Sequence, residues 1–114
     1  MSPIDVVRAF NAAWNAHDLE AVLALVSDDC VYDSSRSATP AGRIVGRDAL
    51  RAAWSPGFAA PSGTFSFDEP IGSDQHVAQP WTYERPNGPP VRGVDLFRVE
   101  AGLLAEKSGY VKVG

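Results

Sequence analysis

One cysteine, Cys30, and one methionine stand in 114 residues, so no internal disulfide and no cysteine-based metal knuckle can staple this chain. There is no basic run. Ten Lys and Arg against fourteen Asp and Glu leave a net charge of −4, with nothing to neutralise a line of phosphates, which argues against nucleic acid as a partner. No apolar stretch approaches the ~20 residues of a membrane span, and the start Met-Ser-Pro-Ile-Asp-Val has neither the basic nor the apolar region of a signal peptide. A cytoplasmic protein with no membrane partner is expected. The two histidines, His17 and His76, lack metal-ligand spacing with each other or with Cys30. No glycine-rich phosphate loop follows a strand, and no Ser, His and Asp fall into a nucleophile motif. No metal or cofactor is implied, and any chemistry is expected to be cofactor-free.

What is present is an ordinary globular composition, 45% hydrophobic and 21% charged, in a chain that can bury one core. A single domain over residues 1–114 is expected. Ile4, Val7, Phe10, Ala13 and Trp14 recur at helical spacing over residues 3–16, with Pro3 suited to a first turn and Asp5 to the positive helix end. Asp18 can cap a second helix whose apolar side is Leu19, Val22, Leu23, Leu25 and Val26, with Ser27-Asp28-Asp29 as its stop. Cys30–Asp33 reads as a short strand, and Ser34–Gly42, rich in Ser, Pro and Ala, as a loop able to cover a pocket mouth. Gly46–Trp54 reads as a third helix ended by Ser55-Pro56-Gly57.

The second half changes period. Thr64–Phe67 alternates as a strand, Gly72-Ser73-Asp74 turns, and His76–Tyr83 is a longer strand with Pro80 at an edge or a bulge. Pro86–Pro90 is a hairpin loop, and Val91–Val99 and Leu103–Lys112 form a last hairpin around Glu100-Ala101-Gly102. The expected fold is α+β, three helices packed on a curved antiparallel sheet of about four strands. If Glu100-Ala101-Gly102 is a three-residue loop, Asp95 faces Lys107; a two-residue loop sets Asp95 against Ser108. The first register makes Val91, Gly93, Asp95, Phe97, Val99, Leu103, Ala105 and Lys107 one face, apolar except for one carboxylate and one ammonium. The other face carries Val94, Leu96, Leu104 and Tyr110 among Arg98 and Glu106, an apolar patch that predicts a homodimer.

The order helix, helix, short strand, helix, meander resembles the SnoaL-like branch of the nuclear transport factor 2-like superfamily. The residues that carry the likeness are Trp14–Ala21, Ser27–Asp33, Val45–Leu50, Gly93–Val99 and Glu106–Lys112. The resemblance implies a cone with an internal pocket between helices and concave sheet, dimeric through the outer sheet face. Its members include ketosteroid isomerase, polyketide cyclases, epoxide hydrolases and dehydratases, so the fold alone does not fix a reaction. Carried over residue by residue, the isomerase's hydrogen-bonding acid falls on Asp95. Its general base falls on Ser34 with Asp33 adjacent, its first-helix tyrosine on Phe10, and its supporting tyrosines near Val26 and Trp54. Those missing phenols speak against steroid isomerisation by that mechanism.

The candidate catalytic residues are therefore Asp95, Asp33 and Lys107. An isolated ion in an apolar wall is costly, so Asp95 is either a ligand-facing acid or base or the partner of Lys107 in a structural pair. Lys107 falls outside if the register slips by one, and Asp33 serves equally as a turn carboxylate. The ligand-wall candidates are Phe10, Trp14, Trp54, Phe58, Trp81, Phe97 and Tyr83, any of which can be plain core. The expected partner is a small apolar molecule, and the expected activity is cofactor-independent isomerisation, dehydration, cyclisation or epoxide opening. A non-catalytic binding or dimerisation module, or an engineered scaffold, fits the same residues.

Overall fold

The computed structural model describes residues 1–37 and 39–114. Helix α1, Pro3–Asn15, opens on a capping box in which Ser2 Oγ accepts from the Asp5 amide and the Asp5 carboxylate accepts from the Ser2 amide. It buries Val6, Val7, Phe10 and Asn11. Helix α2, Leu19–Leu23, starts on the Asp18 cap and is short, because the chain turns to strand at Val26. Strand β1 is Val26–Asp33, so Val26 and Ser27-Asp28-Asp29 begin the sheet and do not end a helix.

After a 3-10 turn at Pro40–Gly42 and the short β2, Ile44–Val45, helix α3 runs Arg47–Ala59, through the expected stop at Pro56. Ser55 Oγ donates to the Arg51 carbonyl at 2.6 Å, a back-bond of the kind that bends a helix, and Pro56 and Gly57 lie on the exposed side of α3. The remaining strands are β3 Thr64–Phe67, β4 Ile71–Ser73, β5 His76–Glu84, β6 Val91–Glu100 and β7 Leu103–Val111.

Seven strands form one sheet in the order β2-β1-β7-β6-β5-β3, with β4 also on β5. This exceeds the expected meander: β4 was hidden in the Gly72–Asp74 turn, and β1 lies parallel to β7. Pro80 sits inside β5 where the β4 pairing has ended and the β3 pairing begins one residue on. Its carbonyl accepts from the Asp68 amide on that side, so the absent N–H points into the same gap and breaks no ladder. No helix among the described residues is long and apolar enough to cross a membrane.

The last hairpin corrects the expected register. Glu100 pairs with Leu103 across a two-residue turn, Ala101 at φ 51° and Gly102 at φ 77°, and a bulge at Ala105 then adds one residue to β7. Asp95 therefore pairs with Gly109, and Lys107 with Phe97. Ahead of the bulge Leu104 turns inward opposite Val99, fully buried, and leaves the outer patch.

Candidate functional site

The concave face of β6 presents Gly93, Asp95, Phe97 and Val99 in alternation, with Gln79 of β5 and Gly109 of β7 directly beside Asp95. Lys107 stands diagonally across from Asp95, on the same face. Its Nζ lies 3.5 Å from Asp95 Oδ2, and the two side chains are only 12% and 10% exposed. Tyr32 is the neighbour of Lys107 across β1. The ammonium sits 5.0 Å from the ring centres of both Trp14 and Tyr32, close enough for two cation–π contacts. At 3.5 Å the ion pair is looser than the ~2.8 Å of a charge-assisted hydrogen bond.

Around the pair is an aromatic wall. Phe10 packs on Trp14 and Phe97 at 5.6 and 5.8 Å, Trp14 on Trp54 and Phe58 at 5.1 and 4.9 Å, and Trp54 on Tyr32 at 5.3 Å. Trp81 and Tyr83 belong to a second group at the other end of β5, where both pack on Phe65 at 5.4 and 4.7 Å. The indole N–H groups of Trp54 and Trp81 are buried and find no acceptor among the described residues.

Two glycines shape the space over Asp95. A Cβ at Gly93 would fall 2.4 Å from the Trp81 ring, and one at Gly109 would fall 3.0 Å from Asp95 Oδ1 and 3.2 Å from the Ser35 amide nitrogen. Without side chains at these positions, the Trp81 ring packs down on β6 at Gly93, and the Ser35 backbone comes down on β7 at Gly109, beside Asp95 Oδ1. Beside Gly109 lies a cavity of about 370 Å³, lined by Asp33, Ser35, Ser37, Thr39, Tyr110 and Val111 as well. The expected cover thus borders a cavity; Ala38 within it lies outside the described residues. Asp33 is at this mouth, its Oδ2 accepting from Arg43 Nε at 3.3 Å, and Ser34 Oγ accepts from the Arg36 amide. The structure brings Asp95, Lys107 and the Phe10, Trp14, Trp54, Phe58, Phe97 wall together, and holds Asp33 apart with Arg43 as its ion partner.

Asn11 and Gln79 are buried polar groups that the sequence reading missed. Gln79 Oε1 accepts from Asn11 Nδ2, and Gln79 Nε2 donates to the carbonyls of Asp68 and Pro80 at 2.7 and 2.9 Å. The network fixes the strand next to Asp95. Its sequence signal was a glutamine at an inward position of β5, in step with Val77 and Trp81. Cys30 faces inward from β1; burial, with the nearby Asp29 and Glu106 carboxylates, pushes its thiol up to about 11, which leaves it an inert packing group.

The SnoaL-like domain family matches residues 7–107, nearly the whole chain. The chain belongs to this family. Its fold is shared with an NTF2-like protein of unknown function from Mesorhizobium loti, 32% identical over 97% of this chain and 91% of that one, TM-score 0.85. A computationally designed 17-OHP binder is 29% identical over 99% of this chain and 93% of that one, TM-score 0.82. A putative polyketide cyclase from Pseudomonas putida, 21% identical over 99% of this chain and 93% of that one at TM-score 0.77, shares the fold. Among curated proteins none matches. This SnoaL-like chain is thus an α+β domain of helices on a curved, unclosed sheet, the ketosteroid isomerase-like architecture named in the resemblance.

Proposed function

We propose that this SnoaL-like protein admits a small, largely apolar molecule to its concave face and moves a proton on it without a cofactor. The observation that carries the reading is the Asp95–Lys107 pair, nearly buried between aromatic rings, with Gly109, the cross-strand neighbour of Asp95, on the wall of a cavity. A carboxylate with few polar neighbours can take a proton from a carbon or hydroxyl pressed against it. The electron pair left behind creates negative charge, and a fixed ammonium 3.5 Å away, shielded from water by Trp14 and Tyr32, stabilises that charge as it forms. Asp33, held by Arg43 at the mouth, is the second carboxylate able to exchange a proton with a molecule in the cavity. Isomerisation, dehydration, cyclisation and epoxide opening all need such a transfer. The names of structural relatives, a polyketide cyclase and a ketosteroid isomerase, support the class through fold alone, and the designed binder supports a small-molecule partner.

By the residue-by-residue resemblance Phe10 and Trp54 fall where the isomerase has phenols, so in this reading Lys107 is the anion-stabilising group. The assembly in this reading is a homodimer on the outer sheet face. A panel of enolisable ketones, β-hydroxy acids and epoxides, followed by mass spectrometry in heavy water, tests the activity. Deuterium uptake or turnover that falls by about a hundredfold or more in Asp95→Asn supports it. Binding without exchange or turnover across the panel would make the protein a binding module instead.

A further inference from the structure

The groups that meet at the concave face do not balance as donors and acceptors. Lys107 brings three N–H donors, of which one direction meets Asp95 at 3.5 Å and two ring faces occupy much of the rest. Trp54, 6% exposed, adds an indole N–H without an acceptor among the described residues, and its ring touches the same Trp14 and Tyr32 that flank the ammonium. Trp81, 7% exposed, adds another. The benzo edge of its indole lies on Gly93, two residues from Asp95 on the same face. Against these donors the face sets one carboxylate. Buried donors left unpaired cost free energy, and natural sequences keep them where a water or a ligand completes them.

We propose that the molecule this site takes carries a carboxylate on an apolar, ring-sized body, its oxygens received by Lys107 Nζ and the Trp54 indole N–H. This rests on the reading above that the concave face is a ligand site, and it names the chemical class of the ligand. A carboxylate has two oxygens and about four acceptor positions, enough to meet an ammonium and an indole together. Its apolar body would lie on Trp14 and Phe58, the half-buried rings of the wall. Asp95 and the ligand then share one ammonium. This sets a sign that distinguishes the inference from the proton-transfer reading: Asp95 competes with the ligand for Lys107, so removing its charge strengthens carboxylate binding while it removes the base.

The test is calorimetric titration of the whole protein with 2-naphthoate, 2-naphthylmethanol and 2-naphthylmethylamine. The expected result is naphthoate binding at least about tenfold tighter than the alcohol, and the amine weakest. Trp54→Phe, which keeps the ring and drops the N–H, should weaken naphthoate about tenfold and leave the alcohol unchanged. Lys107→Met should erase the preference. Asp95→Asn should bind naphthoate more tightly and be stabilised more by it in thermal melts. Equal affinities for naphthoate and the alcohol, an unchanged Trp54→Phe, or weaker naphthoate binding in Asp95→Asn would each overturn this inference and leave the proton-transfer reading standing. Failure of all three probes to bind would overturn both.

Discussion

Asp95 and Lys107 are each other's nearest opposite charge, and their energetic coupling is the quantity that separates a pair from two independent residues. Removing either leaves the other nearly buried among aromatic rings, at a cost on the order of 3 kcal/mol, whereas removing both leaves a mainly apolar surface. In a double-mutant cycle of Asp95→Asn and Lys107→Met followed by urea unfolding, the double variant should be markedly more stable than the sum of the singles predicts; additivity would mean that the rings, not Asp95, hold Lys107. Cys30 sets a pH dependence of its own. Its thiol sits near 11 in the folded protein against 9.0 ordinarily, a raised value, so the unfolded chain ionises first as pH climbs. The stabilisation is complete below pH 9 and is lost as pH rises through 9 to 11, by about 3 kcal/mol in all. Cys30→Ala should lack that part of the decline when unfolding free energies at pH 8 and pH 10.5 are compared; parallel declines in both proteins would refute it.

The hairpin of β6 and β7 is the element on which the site turns, and its geometry comes from two local features. Ala101 holds φ 51° and Gly102 φ 77°, both left-handed, as a two-residue turn of this type requires. An alanine there is strained, so Ala101→Gly should stabilise the protein by about 0.5–1 kcal/mol in chemical unfolding, and Gly102→Ala should destabilise it by a similar amount or more. Strand identity and the alternation within β6 were legible in the sequence from period two, whereas Asp95 and Lys107 share a face as expected only because the bulge offsets the shorter turn. The turn length and the bulge at Ala105 were not legible: neither leaves a compositional mark, yet the two-residue turn carries Leu104 inward and the bulge returns Lys107 to the Asp95 face, on the diagonal. Other misses have the same origin. Ile71–Ser73 is too short to show a period, Val26–Asp29 is polar enough to pass for a helix stop, and Pro56 is carried inside α3 on its exposed side, three residues short of its end. Within the site, the carboxylate, the ammonium and most of the aromatic wall could be read from residue type and spacing. The roles of Gly93, Gly109, Asn11 and Gln79 depend on neighbours far along the chain.

At the scale of the molecule, the convex face of the sheet carries a band of exposed apolar side chains. Ile71, Ala78 and Leu96 lie in one row across β4, β5 and β6, and Pro80, Val94 and Tyr110 in the next across β5, β6 and β7. Ile71 is 71% exposed, Tyr110 56% and Leu96 46%. Arg98, tied to Glu100 and Glu106, borders one side of this band, and Arg92 and Lys112 the other. Apolar rows with a charged rim are the anatomy of an interface core, and a two-fold axis through the middle strands would lay each row on its counterpart. The loss of Leu104 to the interior narrows the band but leaves it continuous from Ile71 to Tyr110. A standard interface of about 800 Å² per partner would cover it and hold at tens of micromolar. Leu96→Glu places a charge at its centre, far from the concave face, so it should yield monomers in sedimentation while leaving ligand binding at Lys107 intact. A monomeric unmodified protein at roughly 50 micromolar would refute the dimer. Loss of ligand binding in a folded Leu96→Glu monomer would instead mean that the two faces of the sheet are coupled through β6.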